Sequence, residues 1–160
     1  MYNTYMLKNK FFSFVLFLVI TYSASFIGGL VTISLKEPWY SQLIKSNYNP
    51  PDWVFAPVWT TLYLMMTLAI WFFWNSKNRD MKTVYIYFIH IVFNTTWSIV
   101  FFGLHQIFFA LLILIILILL IITLIIRFKR VNFVSYYLMI PYLLWCCYAL
   151  FLNFNLLILN

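Results

Sequence analysis

Acid is scarce in this chain. Its 160 residues hold only three carboxylates, Glu37, Asp52 and Asp80, against ten lysines and arginines. None of the three falls inside a long apolar run. Paired-carboxylate acid–base chemistry in a buried interior is therefore excluded, and an ion-coupled transporter lacks its usual buried ionisable groups apart from His90. There are three glycines, and no Walker loop, GxGxxG turn, GxSxG elbow or HExxH helix. The only two cysteines, Cys146 and Cys147, are neighbours. Adjacent positions on a helix point in different directions, which argues against a mutual disulfide. Neither has metal-ligand spacing with another Cys or a His, so they read as small packing residues and no metal site is expected. The basic residues come in short clusters between apolar runs. That placement reads as control of topology and not as a nucleic-acid surface.

The chain is 66% hydrophobic and 8% charged, where a soluble domain averages about 25% charged residues. So much apolar surface cannot be hidden in one aqueous core of this size. Lipid is the solvent that fits. Five apolar segments run from about Phe11 to Leu35, Trp53 to Trp74, Thr83 to Leu104, Ile107 to Ile126 and Phe133 to Leu159, each near the roughly 20 residues that cross a bilayer as a helix. The expected fold class is an all-α integral membrane protein, a five-transmembrane-helix bundle forming one domain over residues 1–160. Ser23-Ala24-Ser25 loosely mimics a signal-peptide cleavage site, but apolar residues continue through Ile33, so the first segment is expected to remain as a span. Lys8, Lys10, Lys77, Arg79, Lys82, Arg127, Lys129 and Arg130 fall on one face of such a bundle, Lys36 and Lys45 on the other. The positive-inside rule then puts the N-terminus in the cytoplasm, and a bacterial inner membrane is the expected location.

One connection is long. Lys36 to Asp52, about 17 residues, carries Trp39, Tyr40, Tyr48, Pro50 and Pro51; loops of this length in compact proteins are usually functional or disordered. Its aromatic content points to a structured lid on the bundle mouth. By contrast, Leu111 to Ile126 is nearly all Leu and Ile and reads as lipid-facing.

The aromatics carry the remaining signal. Phe, Tyr and Trp make up 23% of the chain, with seven tryptophans. Trp71 and Trp74 border a basic loop and read as an interfacial belt. Trp59, Trp97 and Trp145 lie in three different spans. Trp59 and Tyr63 share a helix face, as do His90, Asn94 and Trp97, and Trp145, Ala149 and Asn153. Polar residues in a membrane bundle turn inward, so these faces are expected to meet inside. Composition leaves two readings open: an aromatic-lined cavity for a large, flat, mostly apolar ligand, or plain packing with Asn94 as interhelical glue. Pro141 and Pro57 are expected to kink the fifth and second spans and open space. Gly28-Gly29 would allow close helix approach. His90 and His105 are isolated.

Residue order adds more. Trp39-Tyr40, Leu43, Lys45, Pro50-Pro51, Trp53, Phe55, Pro57-Val58-Trp59-Thr60, Leu62-Tyr63, Met66 and Ala69 resemble the signature of the TspO/MBR family of tryptophan-rich sensory and translocator proteins. Asn94, Trp97-Ser98, Phe101-Phe102-Gly103 and Ala110 continue it, as do Pro141-Tyr142-Leu143, Trp145, Ala149, Leu152 and Asn153. The resemblance implies a five-helix bundle, commonly a homodimer, with a pocket closed by the first loop. It implies that Tyr40, Pro50, Trp59, Asn94, Trp97, Trp145 and Ala149 line that pocket. Family ligands are porphyrins, haem, sterols and synthetic drugs, so porphyrin or haem is the expected ligand and no cofactor is required. Indole faces stack on flat macrocycles, and Lys45 and Lys36 would meet propionates as point charges. The expected function is a membrane tetrapyrrole-binding sensory or regulatory protein. The alternatives are a light-dependent protoporphyrin-degrading enzyme with Trp59 and Trp145 as catalytic residues, and a porphyrin or sterol transporter. The family's fifth-helix sterol motif is absent, since Phe154-Asn155-Leu156-Leu157-Ile158 follows Asn153. Ser46, Tyr48 and Ala56 also depart from the family pattern.

Overall fold

The computed structural model describes residues 9–160; Lys8, counted above among the basic residues, lies outside them. Five helices are long and apolar enough to cross a membrane. They are α1 (Lys10–Leu35), α2 (Phe55–Trp74), α3 (Met81–Ser98), α4 (Ile107–Lys129) and α5 (Phe133–Leu159). No strand occurs among the described residues, as expected where each backbone amide must find its partner within its own segment. Packing closes the helices into a ring in the spatial order α1, α2, α5, α4, α3.

The two ends of the bundle begin their helices differently. At one end α1, α3 and α5 start on side-chain caps. Asn9 accepts from the Phe11 and Phe12 amides, Asp80 from Thr83 and Asn132 from Ser135, each satisfying amides that no helical turn reaches. At the other end α2 and α4 start at Val54 and Gln106 without a side-chain cap. Pro57 is the third residue of α2. Its missing N–H falls in the first turn, where proline is tolerated. Pro141 lies within the unbroken run of α5.

The core sits mostly toward the capped end. Phe17, Phe73, Trp74, Tyr87, Ile121, Leu124, Phe128 and Met139 are buried there together. Trp74 belongs to this core and not to an interfacial belt: it is 8% exposed, meets Phe17 edge-on at 5.8 Å and carries the Arg79 guanidinium 4.4 Å above its ring. Trp71 donates its indole N–H to the Lys10 carbonyl at 2.9 Å. The Leu/Ile-rich α4 is two-sided. Leu114, Leu117, Ile121 and Leu124 face the core, while Ile115, Leu119, Ile122 and Ile126 face outward.

Helix α3 runs on into a π-helical turn, Ile99–Gly103, where the Leu104 amide reaches back to the Ile99 carbonyl at 2.9 Å. Such turns carry one extra residue per turn and recur at functional sites. His105 then takes a left-handed backbone (φ 56), which ends the helix. It stacks on Trp39 at 4.4 Å and donates from Nε2 to the Leu35 carbonyl at 3.1 Å.

Candidate functional site: an aromatic cavity under the first loop

The uncapped end of the bundle is hollow. A cavity of about 380 Å³ opens there between α1, α2, α3 and α5, beneath the loop of residues 36–52. Helix α4 contributes nothing to its wall, so the nearly pure Leu/Ile helix is scaffold only.

Each wall follows from a helical spacing. On α1 the lining residues include Ser25, Gly28, Gly29 and Thr32, continued by Lys36 at the helix C-cap, a stripe of small and polar side chains three to four residues apart on one face. The two glycines differ. A Cβ on Gly28 would lie 3.0 Å from the Ser98 hydroxyl, so its absence lets α1 approach α3, whereas a Cβ on Gly29 would meet nothing within 4 Å and simply leaves room. On α2, Trp59 and Tyr63 line the cavity with ring centroids 5.6 Å apart. On α3 and its π turn, Asn94, Trp97, Ser98, Phe101 and Phe102 do so. Trp97 stacks on Phe101 at 5.1 Å, within 13° of parallel. On α5 the wall is Trp145, Ala149, Leu152, Asn153 and Leu156.

The asparagines of the site are already occupied. Asn94 accepts from the Tyr63 hydroxyl at 2.5 Å and donates to the Tyr142 hydroxyl at 2.9 Å. Asn153 accepts from the Trp97 indole at 3.3 Å and donates to the Ile107 carbonyl at 3.0 Å. They tie α2, α3, α4 and α5 together and hold the aromatic rings at fixed angles, since an unpaired amide would be costly in this setting. The charged groups of the wall are at the mouth. Lys36 pairs with Asp52 and lies 3.7 Å from Glu37. Tyr40 is buried, and its hydroxyl donates to Asn49 at 3.3 Å. Burial pushes the Tyr40 phenol above its ordinary pKa, so it stays a protonated donor.

The loop is tied down at several points. The Asn160 amide grips both backbone groups of Ile44, accepting from its N–H at 2.9 Å and donating to its C=O at 3.1 Å. The Tyr148 hydroxyl donates to the Tyr48 carbonyl at 2.6 Å. Tyr40 packs in a small cluster with Phe101, Ala110 and Leu156.

Of the residues singled out from sequence, the structure brings Tyr40, Trp59, Tyr63, Asn94, Trp97, Trp145 and Ala149 to one cavity. Lys45 and Pro50 are not part of its wall. The Lys45 ammonium sits 4.0 Å from the centroid of the Tyr40 ring, a cation–π position that holds it on the lid, and the Pro50 carbonyl accepts from Asn49 at 3.3 Å. Neither histidine reaches the cavity. His90 is buried, donates from Nδ1 to the Tyr87 carbonyl at 2.9 Å and keeps Nε2 without a partner among the described residues. No group of three His, Cys, Asp or Glu able to hold a metal occurs among the described residues. Sequence reasoning missed the α1 stripe and the Asp52 carboxylate. The stripe had a readable signal in the spacing of Ser25, Gly28, Thr32 and Lys36.

Sequence comparison places the chain among known proteins. The TspO/MBR family model matches residues 14–159. The tryptophan-rich protein TspO of Chlorobaculum tepidum is 32% identical over 145 residues, covering 86% of this chain and 89% of that one. The tryptophan-rich sensory protein of Cereibacter sphaeroides is 32% identical over 145 residues, covering 89% and 91%. The human translocator protein is 28% identical over 133 residues, covering 81% and 79%. On a match that runs through all five spans, the loop and every wall of the cavity, the chain belongs to the TspO/MBR family.

Proposed function

We propose that this membrane protein binds a flat, largely apolar macrocycle of the porphyrin or haem type in the loop-side cavity and acts as its sensor or carrier. The single observation behind this is the wall. Trp59, Trp97 and Trp145, from three helices, surround a space of about 380 Å³, inside the roughly 300–1,000 Å³ range of ligand pockets. Indole faces offer broad π surfaces for a planar ring. The nearby amides are spent on the protein itself, so the interior rewards shape and apolar contact over polar recognition.

A second reading is favoured by Trp59 and Trp145 lining one cavity from two helices. Two oxidisable indoles beside a light-absorbing macrocycle suit a light-dependent degradation of protoporphyrin. Titration with protoporphyrin, followed by absorbance in light and in darkness, separates the two. Binding without protein-dependent bleaching supports the sensor or carrier. Bleaching that disappears in Trp59→Phe and Trp145→Phe supports the enzyme. Either substitution is expected to weaken binding roughly tenfold, as loss of one large stacking surface.

Orientation and assembly belong to the same proposal. Lys10, Lys77, Arg79, Lys82, Arg127, Lys129 and Arg130 lie at the capped end, and Lys36 and Lys45 at the mouth. The charge bias supports a cytoplasmic capped end and an outward-facing cavity in a bacterial inner membrane. A homodimer is expected from the family, and cross-linking in native membranes tests it.

A further inference from the structure

The cavity has a charged end, at the mouth, and a neutral end. Among the described residues of the wall, Lys36 is the only base and Asp52 the only acid. From Lys36 the α1 stripe descends to Ser25, eleven residues or about 16 Å along a helix. The floor is neutral, made of aromatic, amide and hydroxyl groups such as Trp59, Asn94 and Ser25. A ligand that fills this space lengthwise leaves one edge beside Lys36.

The two partners of that ion pair are unequal. The Lys36 side chain is 19% exposed and lies 5.1 Å from the centroid of the Tyr40 ring, whereas the Asp52 side chain is 60% exposed and Glu37 56%. Lys36 is held by the protein; the carboxylates are held mainly by Lys36. Swinging Asp52 into water costs little, because an exposed ion pair contributes little. Leaving the half-buried ammonium without an anion costs more. An incoming carboxylate could therefore replace Asp52 without any movement of Lys36.

We infer that Lys36 is an anion subsite at the cavity mouth, that Asp52 is its displaceable counter-ion, and that the cavity selects macrocycles bearing a carboxylate on one edge. This rests on the reading of the cavity as a site for a flat apolar ligand. It assigns to Lys36 alone a contact that sequence shared between Lys36 and Lys45. It also makes Asp52 a competitor of the ligand, so that removing a negative charge improves the binding of a negative ligand while the apolar contacts stay the same.

The test compares protoporphyrin, a dicarboxylic acid, with its dimethyl ester. Both are titrated against the purified full chain in detergent by quenching of tryptophan fluorescence. The quantity read is the ratio of the two affinities. Wild type is expected to favour the acid. Asp52→Asn should raise the acid-to-ester ratio about fivefold and Lys36→Gln should bring it close to one, on the scale of a partly screened pair. A ratio that is the same in all three proteins, or that falls in Asp52→Asn, overturns the subsite while leaving the cavity as the binding site. Failure of either porphyrin to bind any of the three overturns the cavity reading and the subsite with it.

Discussion

The two halves of this bundle are built from the same helices and the same kinds of residue, yet one is packed and the other is hollow. At the capped end Phe73, Tyr87, Phe128 and Met139 show no exposed surface. At the loop end Trp59, Trp97 and Trp145 are only half-buried. The caps follow the same division, with Asn9, Asp80 and Asn132 at the packed end and no side-chain cap on α2 or α4 at the other. Aromatic content alone therefore does not mark a site in a membrane bundle. What marks it is aromatic side chains facing small ones. Gly28, Gly29, Ala56 and Ala149 stand among the tryptophans of the cavity, whereas Phe73 and Phe128 pack ring against ring at 5.0 Å.

Truncating one aromatic in each half sharpens this contrast most. Phe128→Ala removes a fully buried ring and should cost about 3–5 kcal/mol. Trp59→Ala removes a larger side chain from a surface that already borders empty space, and should cost less than half of that. Thermal unfolding of the two variants in the same detergent checks it. Equal losses would mean that the loop end is packed as tightly as the capped end and holds no room for a ligand.

How far this was legible in the sequence depended on the kind of signal. The five spans could be read because lipid imposes one rule, a backbone satisfied within its own apolar segment. Their ends moved by a few residues, as at Asp52–Val54, which form a short 3-10 turn capped by Pro51 before α2 begins at Phe55. The facing of Trp59 with Tyr63, and of Asn94 with Trp97, could be read from helical spacing. The burial of Trp74 in the core could not, because a tryptophan beside a basic loop reads as an interfacial anchor and only the ring order α1, α2, α5, α4, α3 decides what it faces. Pro57 shows the same limit. Its effect depends on whether it falls in the first turn or later, and a boundary uncertain by two residues reverses the outcome. Lys45 and Lys36 were equivalent as charges on one loop. Tertiary contact separates them, with Lys45 over the Tyr40 ring and Lys36 on the cavity wall.

The lid tests the comparison from the hollow side. Asn160→Ala removes both bonds to the Ile44 backbone. Each hydrogen bond contributes about 1 kcal/mol, and the loop keeps the Tyr148 bond and the packing of Tyr40. The expected result is a several-fold faster dissociation of bound porphyrin in stopped-flow experiments, with little change in unfolding temperature. If dissociation were unchanged, the loop would not be the barrier to ligand exit.

The smallest effect is expected at the packed end, where Asp80 caps α3 and lies 3.7 Å from Arg127. Burial is the largest single influence on the Asp80 carboxyl and raises it, but the Thr83 hydroxyl and amide, together with Arg127, outweigh it and hold the group below its usual value. A carboxyl lowered on folding stabilises the fold at pH values above its unfolded pKa of about 3.9 and loses that contribution as the pH falls through the folded value. Asp80→Asn keeps a side chain that caps equally well but carries no charge. The variant should lose only a few tenths of a kcal/mol near pH 7, since solvent screens a pair this exposed, and its unfolding temperature should fall less steeply than that of the wild type on acidification. Porphyrin dissociation should not change, because Asp80 is at the opposite end of the bundle from the lid. A faster exit in Asp80→Asn would show that the two ends are coupled and that the capped half does more than hold the helices in place.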